Sequence, residues 1–343
     1  MQLLTGKRPY LIAEIAQAHD GSLGILHSYI DALAETGVHA VKFQTHIAEA
    51  ESSPQEPFRV NFSYEDATRY DYWERMEFTR EQWRGIRDHC GEVGVDFISS
   101  PFSLRAVDLL DDLDVAAFKV GSGEVTNLLL LDRLAQTRRP VILSSGMSSF
   151  DELERALTHL RAHGGEVAVL QCTTAYPTPP ERVGLNVLGQ LRDRFPGMPV
   201  GLSEHTAEVA TGLAATTLGA DILEFHAVFD RRMFGPDASS SLTIDEIARL
   251  AREATLIRRM LDHPADKDDV RDFDALRTMF GKSLAVNRAL PAGHALTAGD
   301  LESKKPGGEG IGAHDYRRVI GRELARPLSA QSFVTEADLK PGA

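Results

Sequence analysis

Short apolar runs alternate along the chain with longer segments in which apolar residues recur every three or four positions. The runs are apolar on both faces of an extended strand, as the strands of a buried parallel sheet are. Several of the longer segments end in glycine shortly before the next run, which is typical of helix ends. The eight runs that we expect to form strands are residues 11–16, 40–45, 96–100, 116–122, 140–146, 167–173, 199–205 and 222–228.

Eight such strand-then-helix units predict an α/β fold of the closed parallel type, a (β/α)8 TIM barrel. Segments such as 24–37, 80–94, 206–219 and 244–261 supply the helical pattern. An open, doubly wound sheet is the alternative. We favour the barrel, because the chain has eight even units and no dinucleotide-binding fingerprint.

The connection after the second predicted strand, residues 46–78, is too long for an ordinary barrel loop and is rich in aromatic and charged residues. Long loops in compact domains are usually lids or binding loops. A surface excursion or an oligomer contact is the other interpretation of this segment.

The composition of the sequence changes after Leu261. A polar connector is followed by a segment dense in glycine and proline with short strand patterns, which indicates a small β-rich module. We therefore expect a barrel domain over residues 1–262, a linker over 263–282 and a second domain over 283–343.

Composition restricts the partners and the compartment. The 343 residues carry a formal net charge of −13 without a lysine or arginine stripe, so we do not expect nucleic-acid binding. An anionic substrate would have to meet a local cationic pocket. Two cysteines and the absence of an apolar run long enough to span a membrane predict a cytoplasmic protein without a membrane segment.

Polar residues collect at the carboxyl ends of the predicted strands, where barrel enzymes carry their active sites. Lys42 and Lys119 lie inside otherwise apolar strands, and a buried ammonium group requires a carboxylate or an anionic ligand. Lys42 could simply pair with Glu14. The two lysines together with the GSGE stretch at 121–124 and the SSG stretch at 144–146 indicate a clamp for phosphate and carboxylate groups.

His205 and His226 lie at or near the ends of neighbouring predicted strands, so their rings can converge on one ion. Glu14 lies on the next strand around a closed barrel. Two imidazoles with carboxylate and water oxygens would suit Mn²⁺ or another divalent ion, although either histidine could be a hydrogen-bonded wall residue. His19, after the first strand, either contacts substrate or braces its loop.

Taken together, the strand-end motifs resemble those of the sialic acid synthase family, barrel enzymes with a C-terminal antifreeze-like (SAF) domain. The motifs occur in the family's order over nearly the whole chain. They are LIAEIAQAHDGSLG, AVKFQTH, FISSPF, FKVGSGE, VILSSGM, LQCTTAYPTP, VGLSEHT and the GPD at 235–237.

The resemblance implies condensation of phosphoenolpyruvate with an N-acyl hexosamine, N-acetylmannosamine or a related 2,4-diacylamino-6-deoxyhexose, to a nine-carbon 2-keto sugar acid with release of phosphate. It also implies a divalent ion (Mn²⁺, with Mg²⁺ or Co²⁺ as alternatives) and a domain-swapped homodimer in which each SAF domain covers the partner's barrel.

Residue roles follow from the resemblance by matching motifs. His205 and His226 correspond to the metal ligands. The catalytic positions are Glu14, Lys42 and Asp237. The positions that bind phosphoenolpyruvate are Lys42, Ser100, Lys119, Ser122, Ser144, Thr174 and Ser203. The positions that bind the sugar are Gln44, Glu124, Tyr176, Asp237 and Lys305.

The chain departs from the family pattern at Ala18 and Thr174, where asparagine is usual, and at Phe225 and Lys305, where arginine is common. Lysine lacks the planar two-pronged donor set of arginine, so these departures bear on which sugar is accepted, and legionaminic or pseudaminic acid precursors are alternatives. Two other functions stay open. One is a Schiff-base aldolase that uses Lys42 or Lys119, and the other is a non-catalytic sugar-binding protein.

Overall fold

The computed structural model describes residues 9–58 and 62–341, and the chain divides into two compact units between His263 and Pro264. The first unit is built around a ring of parallel strands. These strands are β1 (Tyr10–Glu14), β2 (Ala40–Thr45), β3 (Asp96–Pro101), β4 (Ala117–Val120), β5 (Val141–Ser144), β6 (Val167–Cys172), β7 (Val200–Glu204) and β8 (Ile222–Val228). Each strand pairs with the next, and β1 pairs in parallel with β8, which closes the ring and confirms the predicted TIM barrel.

Side chains along each strand alternate between the barrel interior and the surrounding helices. Near the amino ends of the strands the interior positions are apolar, and we call this cluster the apolar floor. Its members are Tyr10, Ile12, Ala40, Ile98, Ala117, Ile142, Ala168, Leu170 and Ile222. Two residues further along, the same faces become polar, so that Glu14 follows Ile12 and Glu224 follows Ile222. The barrel is therefore sealed at one end and polar at the other.

Helices surround the barrel and bury one face each against it. In the first helix the buried residues Leu26, Ile30 and Leu33 recur at the spacing of one helical face. Thr79 and Thr243 begin two of the helices with capping boxes, which satisfy backbone N–H groups of the first turn. The helices are α1 (Leu23–Ala34), α2 (Ala48–Glu51), α3 (Arg69–Met76), α4 (Arg80–Val93), α5 (Leu104–Asp112), α6 (Leu128–Thr137), α7 (Phe150–Arg161), α8 (Val187–Arg194), α9 (Val209–Thr217) and α10 (Ile244–Leu261).

The long connection between β2 and α4, which we call the second connection (residues 46–78), contains α2 and α3. Its own small core consists of Ala48, Tyr72, Trp73 and Met76. Thr68 caps α3 by accepting a hydrogen bond from the backbone N–H of Asp71. A further short strand, β9 (Leu242–Thr243), follows β8 and pairs with it in parallel.

The second unit contains α11 (Asp274–Phe280), β10 (Ser283–Val286), β11 (Leu301–Lys304) and α12 (Tyr316–Val319). The strands β10 and β11 form a small antiparallel sheet, as expected of a β-rich module. The apolar core of this unit consists of Leu284, Val286, Leu290, Leu296, Ile311, Val319, Leu324, Leu328, Val334 and Leu339. Within the residues described in both units, no helix combines the length and the apolar character that a membrane crossing requires.

Candidate active site

A cavity of about 400 Å³ lies at the carboxyl ends of the barrel strands. All the barrel residues that the sequence analysis selected for catalysis, substrate binding or metal binding line this cavity. They are Glu14, Lys42, Gln44, Ser100, Lys119, Ser122, Glu124, Ser144, Thr174, Tyr176, Ser203, His205, His226 and Asp237. The structure thus brings these residues together, while their individual roles stay predictions.

Two lysines and two carboxylates form a charged layer directly above the apolar floor. Lys42 Nζ lies 2.6 Å from Glu14 Oε1 and 3.4 Å from Glu224 Oε1. Lys119 Nζ lies 3.5 Å from the same oxygen of Glu224. All four side chains are buried, so Glu224 is shared by both ammonium groups and holds them on the same side of the cavity.

The charges in this layer shift one another's pKa values. Burial opposes ionisation of Glu14, but the Lys42 ammonium group and His226 outweigh it and hold the pKa of Glu14 well below its usual range. Burial also opposes the charge of Lys42, yet Glu14 and Glu224 raise the pKa of Lys42 above its ordinary value. Burial lowers the pKa of Lys119, and repulsion by Lys42 adds to this against the attraction of Glu224. An anionic ligand beside Lys119 would stabilise its charged form.

Hydroxyl groups surround the two lysines. The Lys119 ammonium group donates to Ser144 Oγ at 2.7 Å and to the carbonyl oxygen of Val120 at 3.2 Å. Ser203 Oγ donates to Glu224 Oε1 at 3.0 Å. These contacts place hydroxyl and ammonium donors on one wall, an arrangement that suits a small molecule with several anionic oxygens.

Two further hydroxyl side chains lie close to the backbone of Gly146. A Cβ atom at this position would lie 1.9 Å from Ser122 Oγ and 2.6 Å from Thr174 Oγ1. The SSG stretch after β5 therefore requires glycine at its third position, because any side chain there would displace residues that line the cavity.

His205 and His226 lie side by side, with ring centroids 5.2 Å apart. His205 Nδ1 lies 3.1 Å from the carbonyl oxygen of Thr173. A carbonyl oxygen can only accept, so Nδ1 is the donor in this contact, and Nε2 is the nitrogen of His205 that is left for an ion. His226 Nε2 lies 3.4 Å from Glu14 Oε2, and the ring of Tyr176 packs 4.3 Å from that of His205.

The donor set of this pair fits a divalent ion that takes its other ligands from small molecules. Among residues 9–58 and 62–341, no three His, Cys, Asp or Glu side chains form a complete protein cluster for a metal. Two neighbouring imidazoles nevertheless suit a borderline ion such as Mn²⁺, for which oxygens of water or substrate would have to complete the coordination.

Glu224 is a cavity residue that sequence reasoning missed. It is the charged residue inside the apolar strand β8, two positions before His226 and hence on the same face. A buried carboxylate on that face was the signal that could have identified the partner of the two lysines.

The second connection supplies another group that the sequence did not single out. The ring of His46 stacks on Trp73 at 3.8 Å and on Phe102 at 4.6 Å. His46 Nδ1 lies 2.6 Å from Glu51 Oε1. The other lining residues that were not selected include Gln17, Phe62, Tyr72, Cys172 and Pro236. Described residues of this segment therefore line the cavity, and its role as a binding loop stays a prediction.

Glu56 and Arg69 continue this wall of the cavity. Trp73 Nε1 donates to Glu56 Oε2 at 3.1 Å. Arg69 Nε lies 3.6 Å from Glu56 Oε1, and its guanidinium group lies 4.3 Å from the centroid of the Trp73 ring. The indole therefore positions both the carboxylate and the guanidinium group.

Two other candidates lie in different surroundings. Lys305 belongs to the second unit, where its ammonium group lies 5.1 Å from the centroid of the Phe280 ring; its predicted contact with the sugar stays a prediction. His19 Nδ1 accepts a hydrogen bond from the N–H of Gly21 at 3.0 Å, and its ring packs on Phe78. Burial lowers the pKa of His19 to about 3, so this neutral imidazole braces its loop.

The comparison with known families decides the assignment of the chain. A model of the NeuB family matches residues 29–265, and a model of the SAF domain matches residues 281–340. The chain belongs to the NeuB family. The family and the SAF domain expected from the strand-end motifs are thereby confirmed.

Relatives in this family match the chain over almost its full length. The chain is 30% identical over 339 residues to the N,N'-diacetyllegionaminic acid synthase of Campylobacter jejuni, which covers 96% of this chain and 100% of the relative. It is 33% identical over 335 residues to the N-acetylneuraminate-9-phosphate synthase of Homo sapiens. This match covers 96% of this chain and 93% of the human protein. The solved N-acetylneuraminic acid (sialic acid) synthetase from Leptospira borgpetersenii serovar Hardjo-bovis, in complex with citrate, matches with a TM-score of 0.70 and 25% identity over 79% of this chain and 92% of that one.

Proposed function

We propose that this protein condenses phosphoenolpyruvate with an N-acylated hexosamine to give a nine-carbon 2-keto sugar acid and inorganic phosphate. The observation that carries the proposal is the placement of two buried lysines and two adjacent imidazoles around one cavity at the carboxyl ends of the barrel strands. The names of relatives at 30% and 33% identity, synthases of legionaminic acid and of N-acetylneuraminate 9-phosphate, support the same reaction class.

In this proposal the charged layer binds phosphoenolpyruvate. Lys42 and Lys119 neutralise its carboxylate and phosphate groups, and the anion stabilises the charged form of Lys119 against the burial that lowers its pKa. Hydroxyl groups complete the anion site by donating hydrogen bonds to the same oxygens. They belong to Ser100, Ser122, Ser144, Thr174 and Ser203. Ser203 donates to Glu224 Oε1 in the structure, so its hydroxyl group would have to rotate toward the ligand. Holding the molecule by both ends fixes the face that its alkene carbon presents, which reduces the entropic part of the barrier.

We assign His205 and His226 as the ligands of a divalent ion, with Mn²⁺ as our choice and Mg²⁺ or Co²⁺ as alternatives. When bound, such an ion supplies Lewis-acid polarisation of the sugar aldehyde. The protein contributes the orientation of the two rings: the carbonyl oxygen of Thr173 fixes His205, and the Glu14 carboxylate lies beside Nε2 of His226.

The proposed condensation balances with phosphoenolpyruvate, the sugar and water alone. The alkene carbon of phosphoenolpyruvate bonds to the aldehyde carbon, and the electron pair of the alkene leaves cationic character at C2. A water molecule adds to C2 and gives up one proton by way of Glu14. The C2–O bond to phosphate then breaks, and the proton of the new C2 hydroxyl group leaves with phosphate as the keto group forms. The aldehyde oxygen takes up a proton as water loses one. Glu14 can act on the water because its carboxylate is ionised at neutral pH.

The sugar is assigned to the residues above the charged layer. Gln44, Tyr176, Glu124 and Asp237 line this part of the cavity. Gln44 Nε2 donates to Glu14 Oε1 at 2.7 Å, which links the sugar residues to the catalytic carboxylate. Carboxylate and amide oxygens are suitable acceptors for sugar hydroxyl and acylamino N–H groups.

The test is the release of phosphate from phosphoenolpyruvate in the presence of a panel of N-acyl hexosamines and Mn²⁺. We expect sugar-dependent release, a product whose mass equals sugar plus the three-carbon unit, and recovery of a bridging ¹⁸O label in the phosphate. Phosphate release without a new carbon skeleton, or label retained in the organic product, would overturn the proposal. Reactions without sugar serve as controls.

A Schiff-base aldolase is the second candidate, because the lowered pKa of Lys119 would also favour a nucleophilic amine. Borohydride in the presence of the substrates would then inactivate the enzyme covalently, and EDTA would have no effect. We expect the opposite result on both counts.

We also propose that the protein works as a homodimer. In the single chain the second unit exposes Phe273, Met279 and Phe280, and exposed apolar side chains that lie near one another commonly mark contact surfaces. Sedimentation equilibrium is expected to give twice the mass of 37.6 kDa, and a monomer at micromolar concentration would contradict the proposal.

A further inference from the structure

We infer that His46 is a positioning residue, which orients the Glu14 carboxylate through two intervening glutamine amides. The inference rests on the proposed function, in which Glu14 takes a proton from the water that adds to C2, and it adds a residue to that site. His46 belongs to the second connection, and its buried side chain lines the cavity. The two glutamines, Gln17 and Gln44, line it as well.

A continuous row of hydrogen bonds connects His46 with Glu14. Gln44 Nε2 donates to Glu14 Oε1 at 2.7 Å, and Gln17 Nε2 donates to Gln44 Oε1 at 2.6 Å. Gln17 Nε2 also lies 2.9 Å from His46 Nε2. At the far end of the row, His46 Nδ1 lies 2.6 Å from Glu51 Oε1. The row therefore has a carboxylate at each end.

The two carboxylates determine the direction of the hydrogen bonds between them. An ionised carboxylate can only accept, so the Gln44 amide turns its nitrogen to Glu14 and its oxygen to Gln17. Gln17 must then present its nitrogen to that oxygen. An amide nitrogen carries two N–H donors, and the second one can donate to His46 Nε2. This fits a neutral ring, since Glu51 accepts from Nδ1 and leaves Nε2 as the acceptor.

The surroundings of His46 hold its ring in one orientation. The ring stacks on Trp73 and on Phe102, with interplanar angles of 16° and 6°. Rotation within the stack is opposed by Glu51, because one of its oxygens binds Nδ1 and the other accepts from the backbone N–H of Ile47 at 3.2 Å. Nε2 of the ring therefore stays directed at the glutamine amides.

Protonation of His46 would change one contact without changing the orientation of Gln44. A doubly protonated ring would donate from Nε2, and Gln44 Oε1 lies within its reach at 3.2 Å. The neutral ring accepts from Gln17 at the shorter distance of 2.9 Å. In both states the oxygen of Gln44 is directed at its donors beside His46, and its nitrogen is directed at Glu14.

Gln44 fixes the plane of the Glu14 carboxylate. Oε1 of Glu14 accepts from Gln44 and also lies 2.6 Å from the Lys42 ammonium group. Oε2 lies on the side of the imidazole pair, 3.4 Å from His226 Nε2. Two donors on Oε1 leave Oε2 as the oxygen that serves the water. With Lys42 as the remaining donor the carboxylate could rotate, and a misplaced base lowers the rate of proton transfer.

The experiment replaces the two nitrogens of the His46 ring separately, in the full-length protein with phosphoenolpyruvate, sugar and Mn²⁺. The amide of glutamine reaches the place of Nε2, and the shorter amide of asparagine reaches the place of Nδ1. We expect His46→Gln to keep most of the kcat, because its amide oxygen can accept from Gln17. His46→Asn keeps a partner for Glu51 alone, and its kcat should fall by about tenfold. KM for phosphoenolpyruvate should change by less than about twofold in both variants, since neither touches the lysines.

The two variants lose the same stacked ring, so a role of His46 in packing alone predicts equal effects. Equal kcat values for His46→Gln and His46→Asn, or a loss that appears in KM for phosphoenolpyruvate instead of kcat, would overturn the inference and leave the proposed function intact. A wild-type protein that forms no condensation product would overturn the proposed function itself.

A double variant tests whether His46 acts through Gln44. His46→Phe keeps an aromatic ring in the stack and removes both nitrogens. We expect it to lower kcat in the wild-type background and to have no further effect in Gln44→Leu, where the amide that it orients is absent. Circular dichroism checks that each variant is folded. Losses that multiply in the double variant would overturn the inference.

Discussion

Lys42 and Glu14 form a 2.6 Å ion pair inside the barrel, where each side chain is only 4% exposed. An isolated charge in such a place would be strongly disfavoured, so each group keeps the other ionised. The pair also links the floor of the cavity to the imidazoles, because the second oxygen of Glu14 lies beside His226.

Glu14→Gln should abolish most of the activity without unfolding the protein. Glutamine has nearly the same size, and Lys42 keeps Glu224 at 3.4 Å. Loss of a group that moves a proton should lower kcat by about 10²- to 10⁴-fold. Steady-state kinetics and circular dichroism check the two parts of this expectation. Glu154→Gln, an exposed carboxylate on α7, is the control, and a wild-type kcat in Glu14→Gln would refute the assigned role.

Removal of divalent ions with EDTA should abolish activity, and Mn²⁺ should restore it. His205→Ala and His226→Ala should each weaken Mn²⁺ binding by about 100-fold or more, because each removes one of two nitrogen donors. Titration with Mn²⁺, followed by the paramagnetic signal of the free ion, measures this affinity apart from activity. His159→Ala serves as the control, since that ring pairs with Asp132 on the helices outside the barrel. Unchanged affinity in both active-site variants would exclude the assigned ligands.

Gly146→Ala should weaken phosphoenolpyruvate binding. The new methyl group would overlap Ser122, whose Cβ lies only 2.3 Å from the added atom, so the turn or the serine must move. We expect KM for phosphoenolpyruvate to rise by about tenfold, which corresponds to roughly 1.4 kcal/mol. The control is Gly189→Ala in α8, where an added Cβ meets nothing within 4 Å. Equal kinetics for both variants would show that the close approach is unimportant.

Glu204 makes the stability of the protein depend on pH. Its Oε2 accepts hydrogen bonds from the N–H and the hydroxyl group of Thr206, whereas its Oε1 has no hydrogen-bond partner among the described residues. Burial raises the pKa of Glu204 to about 7 from 4.5. The protonated form is therefore favoured by folding. Its stabilising contribution is complete below pH 4.5 and is lost as the pH rises through 7.

Glu204→Gln should remove this dependence. At about pH 5 the free energy of unfolding of the variant should be close to that of the wild type. At about pH 8 it should be higher by about 3 kcal/mol. Urea unfolding in the presence of EDTA measures both values. A difference that does not change across this range would mean that the carboxylate titrates at its ordinary pKa.

The barrel and much of its cavity could be predicted from the sequence because both depend on strand order alone. Alternation places every second side chain of a strand in the interior, and closure of the ring brings the strand ends together. Glu14, Lys42 and His226 therefore converge whichever conformation the loops adopt. Glu224 obeys the same rule, and it could have been selected for the same reason as Lys42 and Lys119, a charged group inside an apolar strand.

The wall formed by the second connection could not be predicted in this way. His46, Glu56 and Arg69 reach the cavity because Trp73 packs between them in the small core of α2 and α3. Such a path depends on tertiary packing within an irregular segment, and no periodicity of apolar residues encodes it.

The apolar floor has a kinetic consequence. Because Tyr10, Ile12, Ile222 and their neighbours fill the barrel below the lysines, both reactants must use the same entrance. The molecule that binds at the lysines lies beneath the one that binds above it. With phosphoenolpyruvate at the lysines, as proposed, we expect it to bind before the sugar, so that initial-rate kinetics should show a compulsory order of addition.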